Sequence, residues 1–347
     1  MISTDVIIIG AGPIGLELAV ALKRGGFDYL QFDAGQVGQT IARLFPPMTR
    51  WFSSSDRIAI AGVPLQTFDQ NKCTREEYLA YLRAVVMQFD LRVHTYEPLA
   101  GIERRGDGFV LTTRPQGGEQ RYACKRLVLA TGGTAKEKKL GIPGEELPHV
   151  SHFLTEPHDY FRRRLLVVGG KNSAIETALR CHNAGARVSL CHRRAQLEPR
   201  SVKYWLLPEM NGLIESGKIP GYFNRVPVEI TPTHVRLRGC GEDACAGQEM
   251  DVEADAVLLM TGYVADMSLC RLAGVELTGP CEAPTFNPET MESNVLNVFL
   301  AGTVTGGTQE RYTVFVENGH IHTDRIMAAL TGAAPPPTPA PQKRPES

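Results

Sequence analysis

Two short stretches of this chain have the residue types and spacing to hold a dinucleotide. The first runs Gly10-Ala11-Gly12-Pro13-Ile14-Gly15, directly after the apolar Val6-Ile7-Ile8-Ile9 and before a segment with Ile14, Leu18, Ala21 and Leu22 on one helical face. A strand, a G-x-G-x-x-G turn and a helix form a phosphate-binding unit in which each glycine has its own task. Gly10 permits the tight turn, Gly12 lets the backbone approach a pyrophosphate, and Gly15 lets the helix pack close to the strand. The helix N-terminus offers unpaired N–H groups and a partial positive charge to the phosphates. A second apolar run, Tyr29-Leu30-Gln31-Phe32, ends at Asp33, eighteen residues past Gly15. An acid at that place, followed here by Ala34, bonds a ribose hydroxyl.

The second stretch repeats the plan. Leu165-Leu166-Val167-Val168 runs into Gly169-Gly170-Lys171-Asn172-Ser173-Ala174, a helix pattern follows, and the strand Arg187-Val188-Ser189-Leu190 ends at His192-Arg193-Arg194. Basic residues stand where the first unit has its acid. An arginine there favours a ribose carrying a 2′-phosphate, hence NADPH over NADH. One such charge-assisted contact contributes about 1.5–3 kcal/mol, enough for a preference of about tenfold or more. The competing reading is a solvated basic turn. Lys171 replaces the second glycine, so either its backbone keeps further from the pyrophosphate or its ammonium bonds a phosphate oxygen; lysine's affinity for phosphate favours the second. Two units with opposite strand ends imply two dinucleotides, FAD on the acidic one and NADPH on the basic one.

Behind these turns stand the elements that must position them. Thr74-Arg75-Glu76-Glu77 resembles a capping box, with Tyr78, Leu82, Val85 and Val86 following at helical spacing. Leu91 to Thr113 reads as short strands around Gly106-Asp107-Gly108. Leu127–Ala130 and Ala256–Met260 read as buried strands ending at Thr131-Gly132-Gly133 and Thr261-Gly262-Tyr263. Val298–Ala301 is another strand entering Gly302-Thr303, with a helix bearing Val314, Phe315, Ile321, Ile326 and Leu330 behind it. Gly35 to Ser55 is rich in Gly, Pro and Ser and reads as a long loop. It carries Gln39, Thr40, Phe45, Trp51 and Phe52, whose rings could stack on a flat cofactor or simply cover the core.

The 347 residues allow about two domains. A net charge of −1 excludes a global field that would draw nucleic acid. The sequence has no apolar window of about 18 residues, so a membrane span is not expected. The eight cysteines contain no C-x-x-C and are widely scattered, as reduced cytosolic thiols would be, so a disulfide framework is not expected. Cys240 and Cys245 are the nearest pair, and they have no matching ligands for a metal. The terminal segment, with Pro335-Pro336-Pro337 and Lys343-Arg344, reads as disordered.

Taken together, Gly10–Gly15, Ala130-Thr131-Gly132, Gly169–Ala174, His192–Arg194, Thr261-Gly262-Tyr263 and Val298–Gly302 resemble the thioredoxin-reductase-like flavoproteins. The likeness covers nearly the whole chain. Within that group the chain is similar to the bacillithiol disulfide reductases at Trp51–Asp56, Gly169–Ala174, Val202-Lys203-Tyr204-Trp205 and Phe315–Gly319. The resemblance implies an α/β architecture of two Rossmann-like domains of the three-layer ββα type. An NADPH domain at 146–262 is inserted into an FAD domain made of 1–145 and 263–332, with a Pro-rich tail at 333–347 and usually a cytoplasmic homodimer. It implies FAD contacts at Gly10, Gly12, Pro13, Ile14, Gly15, Asp33, Ala34, Gln39, Phe52, Thr131, Gly132, Gly302, Thr303, Thr313 and Val314. NADPH contacts are implied at Gly169, Gly170, Lys171, Asn172, Ser173, Ala174, His192, Arg193, Arg194 and Gly262. A helix starting near Thr313-Val314 would aim its amides at the flavin N1–C2 edge, and Thr303 would replace an Asp that holds the ribityl chain in many relatives.

Two departures from the resemblance bear on the acceptor. The slot of the thioredoxin reductase C-x-x-C is His152-Phe153-Leu154-Thr155, which has no thiol, and Ile14 stands where bacillithiol disulfide reductases tend to have cysteine. Isoleucine forms neither a thiolate nor a mixed disulfide. His152 is the one titratable group near that slot, read either as a proton donor or as a hydrogen-bonding residue of a linker turn. The resemblance implies an NADPH-dependent FAD oxidoreductase acting on a low-molecular-weight disulfide. The missing thiols keep open a ferredoxin, flavodoxin or quinone reductase, with Phe45, Trp51, Phe52 or Tyr312 covering the flavin. A sensor that binds nucleotides without turnover is a third reading, which the intact motifs of both units disfavour.

Overall fold

The structure is a computed structural model that describes residues 1–241, 246–309 and 313–338. The chain forms two units. One comprises Met1–Leu44, Met48–Lys136 and the segment that begins at Tyr263, and the other is built on Glu137–Gly262. Residues 137–145 therefore go with the second unit. Lys138 N–H donates to the Gly262 carbonyl at 2.9 Å, which ties the start of this unit to its end.

The first unit follows from alternating apolar strands and an amphipathic helix. Strand Ile2–Ile9 lies between Tyr29–Phe32 and Gln120–Leu129, parallel to both, with Ile7 opposite Leu30 and Leu127. Val6, Ile7 and Ile8 are wholly buried, as expected of a strand covered on both faces. The ten-residue strand Gln120–Leu129 serves two partners along its other edge. Its first half pairs antiparallel with Gly108–Thr113, and Leu127, Val128 and Leu129 pair parallel with Val298, Phe299 and Leu300. In this way the C-terminal segment adds a strand to the sheet begun at the N-terminus. Val93–His94 and Leu99–Arg105 complete the seven strands. Ile7, Ile9, Phe32, Leu129 and Leu300 share one core cluster, each contributing about 1.5–3 kcal/mol by leaving water.

The capping box holds as read. Thr74 Oγ1 accepts the Glu77 amide at 3.2 Å, and Glu77 Oε2 accepts the Thr74 amide at 2.7 Å, starting helix Arg75–Gln88. The stretch read as a loop between Gly35 and Ser55 is partly helical, at Gln39–Leu44 and from Ser55 to Ile58. Burial of Ile41 and Leu44, and the Gly38 amide bonded to the Ala11 carbonyl at 2.9 Å, supply what local propensity lacks.

The second unit has a five-stranded parallel sheet in the order Gly221–Phe223, Arg187–His192, Arg164–Val168, Ala256–Leu259, Val150–Ser151. A three-stranded antiparallel sheet, Arg225–Ile230, His234–Gly239 and Glu249–Glu253, provides the further layer. Val235, Leu237 and Val252 from it pack in one cluster with Leu166, Val168, Val257 and Leu259 of the parallel sheet. Helix Asn172–Asn183 buries Ala174, Ile175, Ala178 and Leu179 on the opposite face. Among the described residues, no helix is long and apolar enough to cross a membrane.

Candidate functional site

In the first turn the three glycines meet three different constraints. Gly10 has φ +115°, and a Cβ there would stand 2.3 Å from the Ala130 carbonyl oxygen, so strand and turn touch through bare backbone. A Cβ on Gly15 would stand 2.2 Å from the Gly10 carbonyl oxygen, which Gln31 Nε2 already approaches at 2.7 Å. Gly12, by contrast, has nothing within 4 Å of its Cβ position. That open face adjoins the start of helix Pro13–Arg24, with proline at the first turn where no N–H is needed. Asp33 accepts the Ala11 amide at 2.7 Å and the Gly35 amide at 2.8 Å. These bonds fix the carboxylate and leave lone pairs for a ribose hydroxyl. Ala34 is exposed, and Gln39 folds back so that its Oε1 accepts the Gln36 amide at 3.1 Å.

Opposite this turn the Gly302–Gly306 turn closes the floor. Thr303 Oγ1 accepts the Gly133 amide at 2.9 Å and keeps its own proton to donate. Thr131 Oγ1 is buried with no protein partner, and Gly132 beside it has φ +79°. An orphaned hydroxyl, an open glycine face and a helix N-terminus form a donor set that fits a dinucleotide. Ile14 is 5 % exposed, and its side chain lies 3.3 Å from a Cβ built on Gly302 and 3.0 Å from one built on Gly319. The residue at position 14 is thus boxed between two glycines.

Sequence reading missed His322, which supports that floor. Its Nδ1 accepts the Gly302 amide at 3.0 Å, and burial, ahead of Arg325 and His320, pushes its pKa down to about 4 from 6.5. Between those values the unfolded chain binds a proton that the folded one refuses. Stability is therefore complete above about pH 6.5 and is lost as pH falls toward 4, by up to about 3 kcal/mol. Replacing His322 by Asn, whose oxygen can still accept the amide, should flatten the thermal midpoint between pH 7 and 4.5. An unchanged slope would refute this account.

The C-terminal helix corrects the sequence expectation. It runs Val316–Thr331 rather than starting near Thr313-Val314, and it buries His322, Thr323 and Arg325 beside Ile326, while Ile321 and Leu330 are only partly covered. Gln309 Oε1 accepts the Thr313 amide at 2.8 Å and the Val314 amide at 2.9 Å, so neither amide is left for a flavin. The Phe315 amide is taken by Asn318 Oδ1 at 2.7 Å. The first-turn amides that a helix leaves unsatisfied begin at Val316.

Phe52 is half-buried, and its carbonyl accepts Lys72 Nζ at 2.6 Å. Ser53 Oγ donates to Glu317 in the first helical turn, and Trp51 lies edge-on to Tyr78 at 4.5 Å. Tyr312 lies outside the described residues. His320 bridges Glu17 Oε2 at 2.7 Å and the Arg57 carbonyl at 3.0 Å. Burial alone would lower its pKa, but the Glu17 carboxylate and the Arg57 carbonyl outweigh that and hold it above the usual histidine value.

In the second turn, Gly169 has φ +151°, and a Cβ there would meet the Met260 carbonyl oxygen at 2.6 Å. A Cβ on Gly170 would fall 2.2 Å from the His192 ring. His192 therefore packs under the turn and edge-on to Phe223 at 6.3 Å, instead of reaching outward with the arginines. Burial, then Arg194 and Arg193, lower its pKa and keep it neutral, and its Nε2 has no protein partner. Lys171 caps the helix with an exposed side chain, Ser173 is exposed and Ala174 is wholly buried. Asn172 Oδ1 accepts the Lys203 amide at 2.7 Å, so its side chain is spent on the protein. Arg194 pairs with Glu198 at 3.0 Å, whereas Arg193 is exposed and contributes its carbonyl to the Cys240 thiol at 3.3 Å. Gly262, at φ +100°, leaves open space at the end of the neighbouring strand.

Five of the thiols are buried and held away from nucleophilic use. Burial pushes Cys73, Cys124, Cys181 and Cys191 up to about 12 and Cys270 to about 11, which keeps them protonated at neutral pH. Cys240 and Cys281 are partly exposed and form no disulfide, and Cys245 lies outside the described residues. His152 sits in the linker turn, Nε2 at 3.6 Å from Glu145 Oε1. Glu145 also accepts the Leu140 and Gly141 amides, each at 2.7 Å. Among the described residues, no group of three or more His, Cys, Asp or Glu could hold a metal.

Residues 7–302 match the pyridine nucleotide-disulphide oxidoreductase family. The chain is 35 % identical over 331 residues to the bacilliredoxin reductase Bdr of Bacillus subtilis, covering 95 % of this chain and 98 % of that one. It superposes with a TM-score of 0.88 on the bacillithiol disulfide reductase Bdr of Bacillus cereus, at 34 % identity, over 95 % of this chain and 99 % of that one. A ferredoxin–NADP reductase of Ignicoccus hospitalis is 27 % identical over 91 % of this chain and 95 % of its own length.

Proposed function

The chain belongs to the pyridine nucleotide-disulphide oxidoreductase family, and from that premise we propose that it moves electrons from NADPH to a low-molecular-weight disulfide of the bacillithiol disulfide type. That it is an FAD- and NADPH-dependent oxidoreductase comes with the family. The acceptor is read from the relatives, one named a bacillithiol disulfide reductase and one a bacilliredoxin reductase. The net reaction consumes NADPH, one proton and one disulfide and yields NADP⁺ and two thiols.

The observation that carries this reading is one chain with an Asp-ended and an Arg-ended nucleotide turn. The first unit would hold FAD through the Gly12 face, Asp33, Thr131 and Thr303, and the unsatisfied amides from Val316 on would stabilise negative charge developing on the flavin. Bound there, FAD supplies the two-electron relay between the nicotinamide and the disulfide. The second unit holds NADPH at Gly169–Ala174, with Lys171 on the phosphates and Arg193 on the 2′-phosphate. Arg194 is the weaker candidate because Glu198 already neutralises it. Position 14 is an isoleucine, the five buried thiols stay protonated, and His152 Nε2 lies 3.6 Å from Glu145 Oε1 in the linker turn. The disulfide is therefore reduced without a dithiol of this chain at the usual places.

The same absence of thiols is what favours the second reading, a ferredoxin- or quinone-linked NADP reductase. Turnover of NADPH with bacillithiol disulfide, bacilliredoxin, ferredoxin and a quinone, assayed side by side, tests it. Disulfide turnover no faster than the uncatalysed rate would overturn the proposal. We extend it to a cytoplasmic homodimer, which sedimentation of the holoprotein checks.

Arg193→Ala should raise KM for NADPH about tenfold or more while leaving NADH nearly unchanged. Equal losses with both coenzymes would mean that the basic turn is only a solvated surface.

A further inference from the structure

The connection from His192 to helix Leu207–Glu215 has no regular structure, yet it is fixed along its length. Arg194 pairs with Glu198, the Ser201 amide donates to the Glu198 carbonyl at 2.8 Å, and Leu197 and Val202 are buried in the core of the unit. Its far end is tied to the nucleotide turn, because Asn172, the first residue of the fingerprint helix, accepts the Lys203 amide. The segment thus begins at Arg193, beside the 2′-phosphate position, and is anchored again where the pyrophosphate would lie.

Sheet order says which half of the coenzyme it borders. Arg187–His192 and Gly221–Phe223 lie to one side of Arg164–Val168, with Ala256–Leu259 on the other. The connection leaves the first of these strands and leads through its helix to the second. It therefore stands on the adenosine side, away from Gly262.

At the anchored end is an aromatic group turned to solvent. Tyr204 is 67 % exposed. It meets Trp205 edge-on at 5.0 Å and 88°, and Lys203 Nζ stands 5.9 Å from the Trp205 ring centre. A phenol ring fixed in this way but left in water buries little of its own area. A planar base arriving beside Arg193 would give it a stacking partner.

We propose that Tyr204 forms a wall of the NADPH site by stacking on the adenine, and that Asn172 is the positioning residue that holds it there. This rests on the assignment of NADPH to the second unit. Stacking on one aromatic changes base affinity by about fivefold or more.

The test uses the FAD-loaded protein and adenosine 2′,5′-bisphosphate, which carries the adenine and the 2′-phosphate but no nicotinamide. Calorimetric titration should show at least about fivefold weaker binding in Tyr204→Ala and in Asn172→Ala, with Tyr204→Phe close to native. FAD content and thermal midpoint of Tyr204→Ala should stay native, because the ring is exposed. KM for NADPH should rise in Tyr204→Ala with kcat unchanged. A native protein that binds the bisphosphate and a Tyr204→Ala variant that binds it within about twofold as well would overturn the stacking inference alone. A native protein that binds neither the bisphosphate nor NADPH would overturn both this inference and the assignment beneath it.

Discussion

A Gly10→Ala chain should leave purification nearly colourless. The added methyl would have to occupy space 2.3 Å from the Ala130 carbonyl oxygen, and that atom is backbone of the neighbouring strand, so no side chain can rotate away. The φ of +115° adds its own cost for any residue with a Cβ. Relief requires the turn to lift from the sheet, which moves the Gly12 face and the start of helix Pro13–Arg24 together. FAD affinity should fall by more than about 100-fold, measured as flavin absorbance per chain after dialysis. Gly12→Ala makes the informative contrast. Its φ is −77° and its Cβ position is open, so the chain should keep its thermal midpoint without ligand while losing affinity for FAD. A Gly10→Ala protein that retains a full complement of FAD would contradict the assignment of this turn.

Gly169→Ala should produce the reverse phenotype, a yellow protein that NADPH no longer bleaches. A Cβ there would fall 2.6 Å from the Met260 carbonyl oxygen and 2.7 Å from the Ala174 Cβ. The strand end and the helix start would have to part, carrying the helix-start amides of Lys171 to Ala174 out of line. Loss of a site built from several such amides should cost NADPH-driven flavin reduction more than about 100-fold, with FAD content unaffected. Anaerobic mixing with NADPH, followed by flavin absorbance, measures it. Bleaching at the native rate would mean that the coenzyme binds elsewhere.

How far the sequence revealed these sites depends on whether the deciding contact is local. Gly10, Gly15 and Gly169 were legible because a glycine between a buried strand and a helix marks a place where backbone must touch backbone. A strand end also fixes where Asp33 and Arg193 stand, the first bonded to the turn amides and the second exposed. The last helix starts later than its apolar periodicity suggests because Gln309 captures the Thr313 and Val314 amides from outside it, and periodicity does not report such a bond. The same periodicity hid His322 and Arg325, which are polar yet buried. His320 and Glu17, 303 residues apart, meet only through tertiary packing. His192 read as one of three coenzyme-facing basic residues, but a bare Gly170 gives its ring a place under the turn.

Electrons from NADPH should pass through the flavin to a small disulfide without a dithiol of this chain at the usual places. The measurement is to reduce the FAD-loaded protein anaerobically with one equivalent of NADPH and then mix it with bacillithiol disulfide. The flavin colour should return at least as fast as steady-state turnover, with two thiols released per NADPH. Colour that stays bleached with the disulfide, and returns only on adding ferredoxin or a quinone, would contradict it.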